Sequence, residues 1–151
     1  MAQSLSKILV HTVFSTKDRR PYVNDRDLRT ELHAYLGGIL ARLDCQPVIV
    51  GGVADHVHIL AALARTRAAA DVVKEAKRGS SVWLKTADPS LADFAWQNCY
   101  GVFSIGASQI STVRNYIANQ EEHHRQVSFQ DEFRTLLTRY DVEFDERYVW
   151  D

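Results

Sequence analysis

Hydrophobic and polar positions alternate with two periods along the chain, and the switches between them outline its elements. Residues 6–15 alternate, with Ile8, Val10, Thr12 and Phe14 on one side, and so predict a strand. Residues 25–43 repeat apolar side chains at helical spacing (Leu28, Leu32, Tyr35, Leu36, Ile39, Leu40, Leu43), with Asn24 or Asp25 as the N-cap. Residues 45–53 and 56–63 read as two strands joined by a hairpin at Val53-Ala54-Asp55. A second helix over 68–85 buries Val72, Val73, Ala76 and Trp83, and Asp88-Pro89-Ser90 marks a loop. A fourth strand over 100–105 precedes a helix capped by Ser108, and a last helix spans 129–140. The order strand, helix, strand, strand, helix, strand is that of an α+β ferredoxin-like (RRM-like) antiparallel sheet, with helices on one face and additional C-terminal helices. No repeat, linker or low-complexity stretch interrupts it, so residues 1–151 read as one domain.

The second strand of the hairpin carries the chemistry. In the run Gly51-Gly52-Val53-Ala54-Asp55-His56-Val57-His58, the two histidines are one residue apart. On a strand they project to one face with Cα atoms roughly 6–7 Å apart, close enough to share one metal ion. Two satisfied half-buried histidines are the plain alternative. Downstream, Tyr116 and Gln120 fall at i and i+4 if their segment is helical. A core aromatic would explain Tyr116 equally well in isolation.

The ordered set Val13-Phe14-Ser15-Thr16-Lys17-Asp18-Arg19-Arg20-Pro21, His56-Val57-His58, Trp96-Gln97, Tyr100-Gly101-Val102-Phe103-Ser104 and Tyr116-Ile117-Ala118-Asn119-Gln120-Glu121-Glu122-His123-His124 resembles the single-tyrosine HUH transposases of bacterial insertion sequences, the REP-associated tyrosine transposase-like proteins. The resemblance runs from about residue 5 to the C-terminus. It implies a divalent metal, Mg or Mn, held by His56, His58 and Gln120; the residues alone do not exclude zinc. It implies Tyr116 as a covalent nucleophile that cuts single-stranded DNA at hairpin-bearing ends, leaving a 5′-phosphotyrosine and a free 3′-hydroxyl. It further implies a homodimer. Residues 100–105 offer a strand to pair across such an interface, and Gly106-Ala107 a hinge that lets Tyr116 reach its own or the partner's histidines. A non-catalytic nucleic-acid-binding module on the same scaffold, or another HUH endonuclease, is the rival expectation.

Charge adds a distribution rather than a total. The net charge of -1 does not announce nucleic-acid binding. Yet residues 65–85 carry six bases against two acids, while residues 131–151 carry seven acids against three arginines and read as an acidic tail. Lys74, Arg78, Ser81 and Lys85 form one stripe of the second helix with Lys77 beside it: either a solvated face, or phosphate contacts next to the metal pair. The loop residues Lys17, Arg19 and Arg20 carry the same alternative, and His124, i+4 from Gln120, is a further candidate DNA contact. Trp83 and Trp96 read as core, and Gly37-Gly38 inside the first helix as the close approach of a neighbouring backbone. Cys45 and Cys99 have no metal spacing and read as free thiols. With no apolar run suited to a signal peptide or a membrane span, a cytoplasmic protein is expected, with no membrane partner.

Overall fold

A computed structural model describes residues 2–151. Four strands, β1 (Leu9–Ser15), β2 (Pro47–Val53), β3 (His56–Ala62) and β4 (Gly101–Ile105), form one sheet in the order β2-β3-β1-β4 with every pair antiparallel. The ferredoxin-like order expected from the hydrophobic pattern is the one observed. Helices α1 (Arg26–Arg42) and α2 (Ala69–Ala87) are the two crossovers, and α3 (Ile110–Ala118), the single turn α4 (Gln120–His123) and α5 (Phe129–Arg139) follow β4. Among the described residues no helix is long and apolar enough to cross a membrane.

The sheet is covered on both faces. On one, Phe14, Val57, Ile59 and Ala61 pack against Leu32, Leu36 and Leu40 of α1 and Val72, Val73 and Ala76 of α2. Asp25 starts α1 by accepting hydrogen bonds from the backbone N–H groups of Asp27 and Leu28, satisfying two otherwise orphaned donors. On the other face, Val13 and Phe103 pack against Phe129, Phe133, Leu136 and Leu137 of α5. Ser128 caps α5 through the N–H of Asp131.

Several local expectations are corrected. β1 starts at Leu9, and Ile8 is exposed. Ser108 does not cap the helix of Tyr116: residues Ala107–Gln109 form a separate 3-10 turn, and α3 begins at Ile110 with no side-chain cap. Trp96 is buried, with its indole N–H donating to Ser80 Oγ at 3.0 Å, whereas Trp83 is only half-buried and stacks on Tyr35. Gly37 and Gly38 face nothing within 4 Å of where a Cβ would stand, so no neighbouring backbone explains them. The acidic stretch from 131 is no free tail at its start, because Glu132 lies within α5 and is buried.

Candidate metal and nucleophile centre

Strand register decides which side chains meet. Val13 is opposite His58, Ser15 opposite His56, and His11 opposite both Leu60 and Phe103, so His11, Val13, Ser15, His56 and His58 share the face toward α5. Gly51 is opposite His58, and a Cβ there would stand 2.8 Å from both the side chain and the carbonyl oxygen of Ile117. The absence of a side chain at Gly51 therefore lets α3 settle on the sheet and bring Tyr116 to the histidines. Gly52, at φ +150°, occupies backbone space that a Cβ would drive into the carbonyl of His56.

The structure brings His56, His58, Tyr116, Gln120 and His124 together, although Tyr116 and Gln120 do not share one helix. The helix breaks at Asn119, and Gln120 opens α4. Both side chains nevertheless converge on a residue the hydrophobic reading set aside. Glu132, 3% exposed, accepts from the Tyr116 phenol, from His58 Nε2 at 2.8 Å and from Gln120 Nε2 at 3.3 Å. His123 Nε2 and His124 Nε2 each lie 3.1 Å from its carboxylate, yet both are buried without an aligned hydrogen bond. Ligand atoms of His56, His58, His124 and Glu132 all fall within 4.8 Å of one another. This group could hold a metal ion. The buried, unaligned His124 nitrogen and the mixed imidazole and oxygen donors fit a divalent cation. Gln120 Oε1, 3.2 Å from His56 Nε2, adds a carbonyl oxygen to the same space.

The electrostatics follow from these contacts. His56 is fully enclosed, which disfavours its charge, but its Nδ1 donates to Asp55 at 2.6 Å and its Nε2 faces Gln120 and Glu132 oxygens, so its pKa rises to about 9. Burial pulls His58 down to about 4 and His11 to about 3, His11 also being repelled by His58. Burial would raise Glu132, but the imidazoles of His124, His56 and His58 outweigh it and hold the carboxyl far below the ordinary range. Burial, with the adjacent Glu132 carboxylate, pushes the Tyr116 phenol above its usual value, so the metal-free centre keeps it protonated.

The expected basic contacts divide. His124 lies against His56, ring centroids 4.3 Å apart. The α2 stripe is not next to the centre, because α2 packs on the opposite face of the sheet. There Lys74, Arg78 and Lys85 border a groove of about 520 Å³ with Trp96 and Tyr100. Lys77 is turned inward, donating to the carbonyls of Gln97, Asn98 and Cys99, and burial lowers it to about 8. Arg78 pairs with Glu75. In the first loop Lys17 is exposed, Arg19 lies over Trp150, and Arg20 is engaged by Asp93 and Tyr22. A cleft of about 440 Å³ bordering Gln120 is lined by Arg26 and Arg29, both paired with Glu121, and by Arg125, paired with Glu122.

Two central residues were missed. Glu132 left a signal: it sits at i+3 from Phe129, inside the apolar stripe Phe129, Phe133, Leu136, Leu137, where a surface acid does not belong. His11 left a weaker one, as a polar residue on the β1 face opposite the assigned apolar positions.

A ferredoxin-like sheet carrying a histidine pair, a carboxylate and a tyrosine at one point defines a candidate metal and nucleophile centre. The chain belongs to the IS200-like transposase family, which matches residues 4–120 and so ends at Gln120, short of Glu132. Among solved structures it is similar to a candidate transposase from Deinococcus radiodurans R1 (23% identity, covering 80% of this chain and 95% of that one, TM-score 0.64). It is also similar to a REP-associated tyrosine transposase bound to a REP hairpin (14% identity, covering 84% and 74%, TM-score 0.59). At these identities the likeness shows the fold. No curated protein matches the chain.

Proposed function

We propose that this chain is a metal-dependent, single-strand-specific DNA transposase that cuts and rejoins hairpin-bearing DNA ends through Tyr116. The observation that carries the reading is the convergence of the Tyr116 phenol and the His58 Nε2 on the same carboxylate, Glu132. His56, His58 and Gln120, with His124 and Glu132 beside them, would hold Mg²⁺ or Mn²⁺. Bound there, the ion supplies Lewis-acid polarisation of the scissile phosphate.

The chain's own residues do the rest. The phenolic oxygen of Tyr116 attacks phosphorus, the bond from phosphorus to the 3′-oxygen breaks, and a 5′-phosphotyrosine forms. The phenol gives up its proton to water as the new bond forms, while Glu132, held far below the ordinary carboxylate range, orients the phenolic oxygen through the hydrogen bond it accepts. The departing 3′-oxygen takes a proton from water and leaves as a hydroxyl, so no proton is gained or lost overall, and its later attack on the phosphotyrosine linkage, with the phenol leaving, reseals the strand without ATP. Arg26, Arg29 and Arg125 along the neighbouring cleft would meet the flanking phosphates by exchanging their partners Glu121 and Glu122 for them. The hairpin in a structural neighbour and the family membership support DNA ends as substrate. In this reading residues 1–151 are one catalytic domain, working as a cytoplasmic homodimer through the edge strand β4. In the same reading Tyr116 works with the histidines of its own chain, a choice supported by its ring lying 5.7 Å from that of His58.

Tyr116→Phe tests the reading. It should lose the covalent protein–DNA adduct with a labelled single-stranded hairpin oligonucleotide while binding that oligonucleotide within a few-fold of wild type. An adduct formed by the variant, or none formed by wild type with Mn²⁺, refutes it.

A further inference from the structure

We propose that His11 is a positioning residue for His58, holding the ring in the orientation and tautomer that offer Nε2 to the metal. The proposal rests on the metal reading above.

A neutral imidazole has one N–H and one lone pair. If Nε2 gives its lone pair to a cation, Nδ1 carries the hydrogen, and inside a fully buried ring that hydrogen needs an acceptor. For His56 the acceptor is Asp55, 2.6 Å from Nδ1. For His58 it is His11, whose Nε2 lies 2.8 Å from His58 Nδ1.

The two partners differ in kind. A carboxylate only accepts, so Asp55 permits one arrangement at His56. An imidazole accepts or donates, so His11 serves His58 in two. Without metal, His58 Nε2 donates to Glu132 at 2.8 Å, and His11 donates to His58 Nδ1. With metal on Nε2, the same 2.8 Å contact runs the other way. His11 is itself 3% exposed and packed between His58, Phe103 and Tyr116, so it is screened from solvent and its polar contact is to His58. Apolar residues are the common occupants of such a buried strand position and could not make the bond. A carboxylate there could not donate to His58, and would bury a second negative charge.

The test compares the EDTA-stripped full chain as wild type, His11→Phe and His11→Gln, titrated with Mn²⁺ by calorimetry. His11→Phe fills the site without an acceptor and should bind Mn²⁺ about 10–100-fold more weakly; it also loses the buried hydrogen bond to His58 and so melts lower in EDTA, and affinities are compared at a temperature where every variant is folded. His11→Gln restores an amide oxygen that accepts and an N–H that donates, and should bind within about threefold of wild type. A purely structural histidine would make the phenylalanine variant bind as wild type does. Equal Mn²⁺ affinity in His11→Phe and wild type, or equal loss in both variants, overturns the proposal. If His11→Phe does not fold, His11→Leu takes its place. In the Mg²⁺-saturated protein, ¹⁵N-imidazole spectra should place the His58 hydrogen on Nδ1, and a hydrogen on Nε2 overturns the proposal too. A wild-type chain that binds no Mn²⁺ fails the metal reading itself, an outcome distinct from these.

Discussion

Replacing Glu132 with glutamine removes the charge at the middle of the centre and keeps its shape. Six side chains aim polar atoms at the carboxylate: His56, His58 and His124 toward Oε1, and Tyr116, Gln120 and His123 toward Oε2. An amide offers one accepting oxygen and one donating nitrogen. Whichever way it turns, one group of three faces the NH₂. Placed toward Oε2, the NH₂ opposes the Gln120 amide, while the phenol of Tyr116 can rotate to accept. At least two charge-assisted bonds are lost, each worth about 1.5–3 kcal/mol. Loss of one partner from a buried charged cluster costs about 3–5 kcal/mol overall. At about 2–4 °C per kcal/mol for a domain of this size, the melting temperature should fall by about 10 °C. Thermal denaturation followed by circular dichroism at pH 7 in EDTA measures this. A fall below about 3 °C would mean that the carboxylate is not the shared acceptor of the imidazoles, and would refute the assigned geometry.

Further expectations follow from the same contacts. Metal-free stability should peak near pH 6.5–7. His11 and His58 are held neutral with pKa values near 3 and 4, so their contribution is complete above the unfolded value of 6.5 and is lost as pH falls. At pH 5 the two together cost about 4 kcal/mol. His56 works in the opposite sense: raised to about 9, it stabilises fully below 6.5 and loses that contribution, about 3 kcal/mol, as pH rises through 9. Urea denaturation in EDTA at pH 5, 7 and 9 checks both arms, and a flat profile contradicts them. Gly37→Ala and Gly38→Ala should each stabilise by about 0.5–1 kcal/mol, since an added Cβ meets nothing and α1 loses a flexible interior residue. Destabilisation by either would show a contact that α1 does not display.

The sheet and most element boundaries are legible in the order of residues, because they depend on short-range rules. Alternation marks β1, β3 and β4, helical spacing marks α1 and α2, and Asp25 is a local cap. The order of residues also places His56 and His58 on one face, a consequence of strand geometry alone. The remainder follows from long-range packing. Whether Lys74 and Lys85 stand near the histidines depends on which face of the sheet α2 covers, and their spacing carries no record of that. Lys77 reads as one more surface cation until three carbonyls of the 97–99 loop are seen to converge on it. Glu132 lies 12 residues beyond Gln120 and 74 beyond His58, and only the packing of Phe129 and Phe133 onto the sheet turns its carboxylate inward. His11 reaches His58 because β1 and β3 are neighbours in a particular register, and a slip of one residue would turn it to the other face. Local periodicity fixes which way a side chain points along its own element. What it meets there is set by long-range packing, and the centre of this protein is built from such meetings.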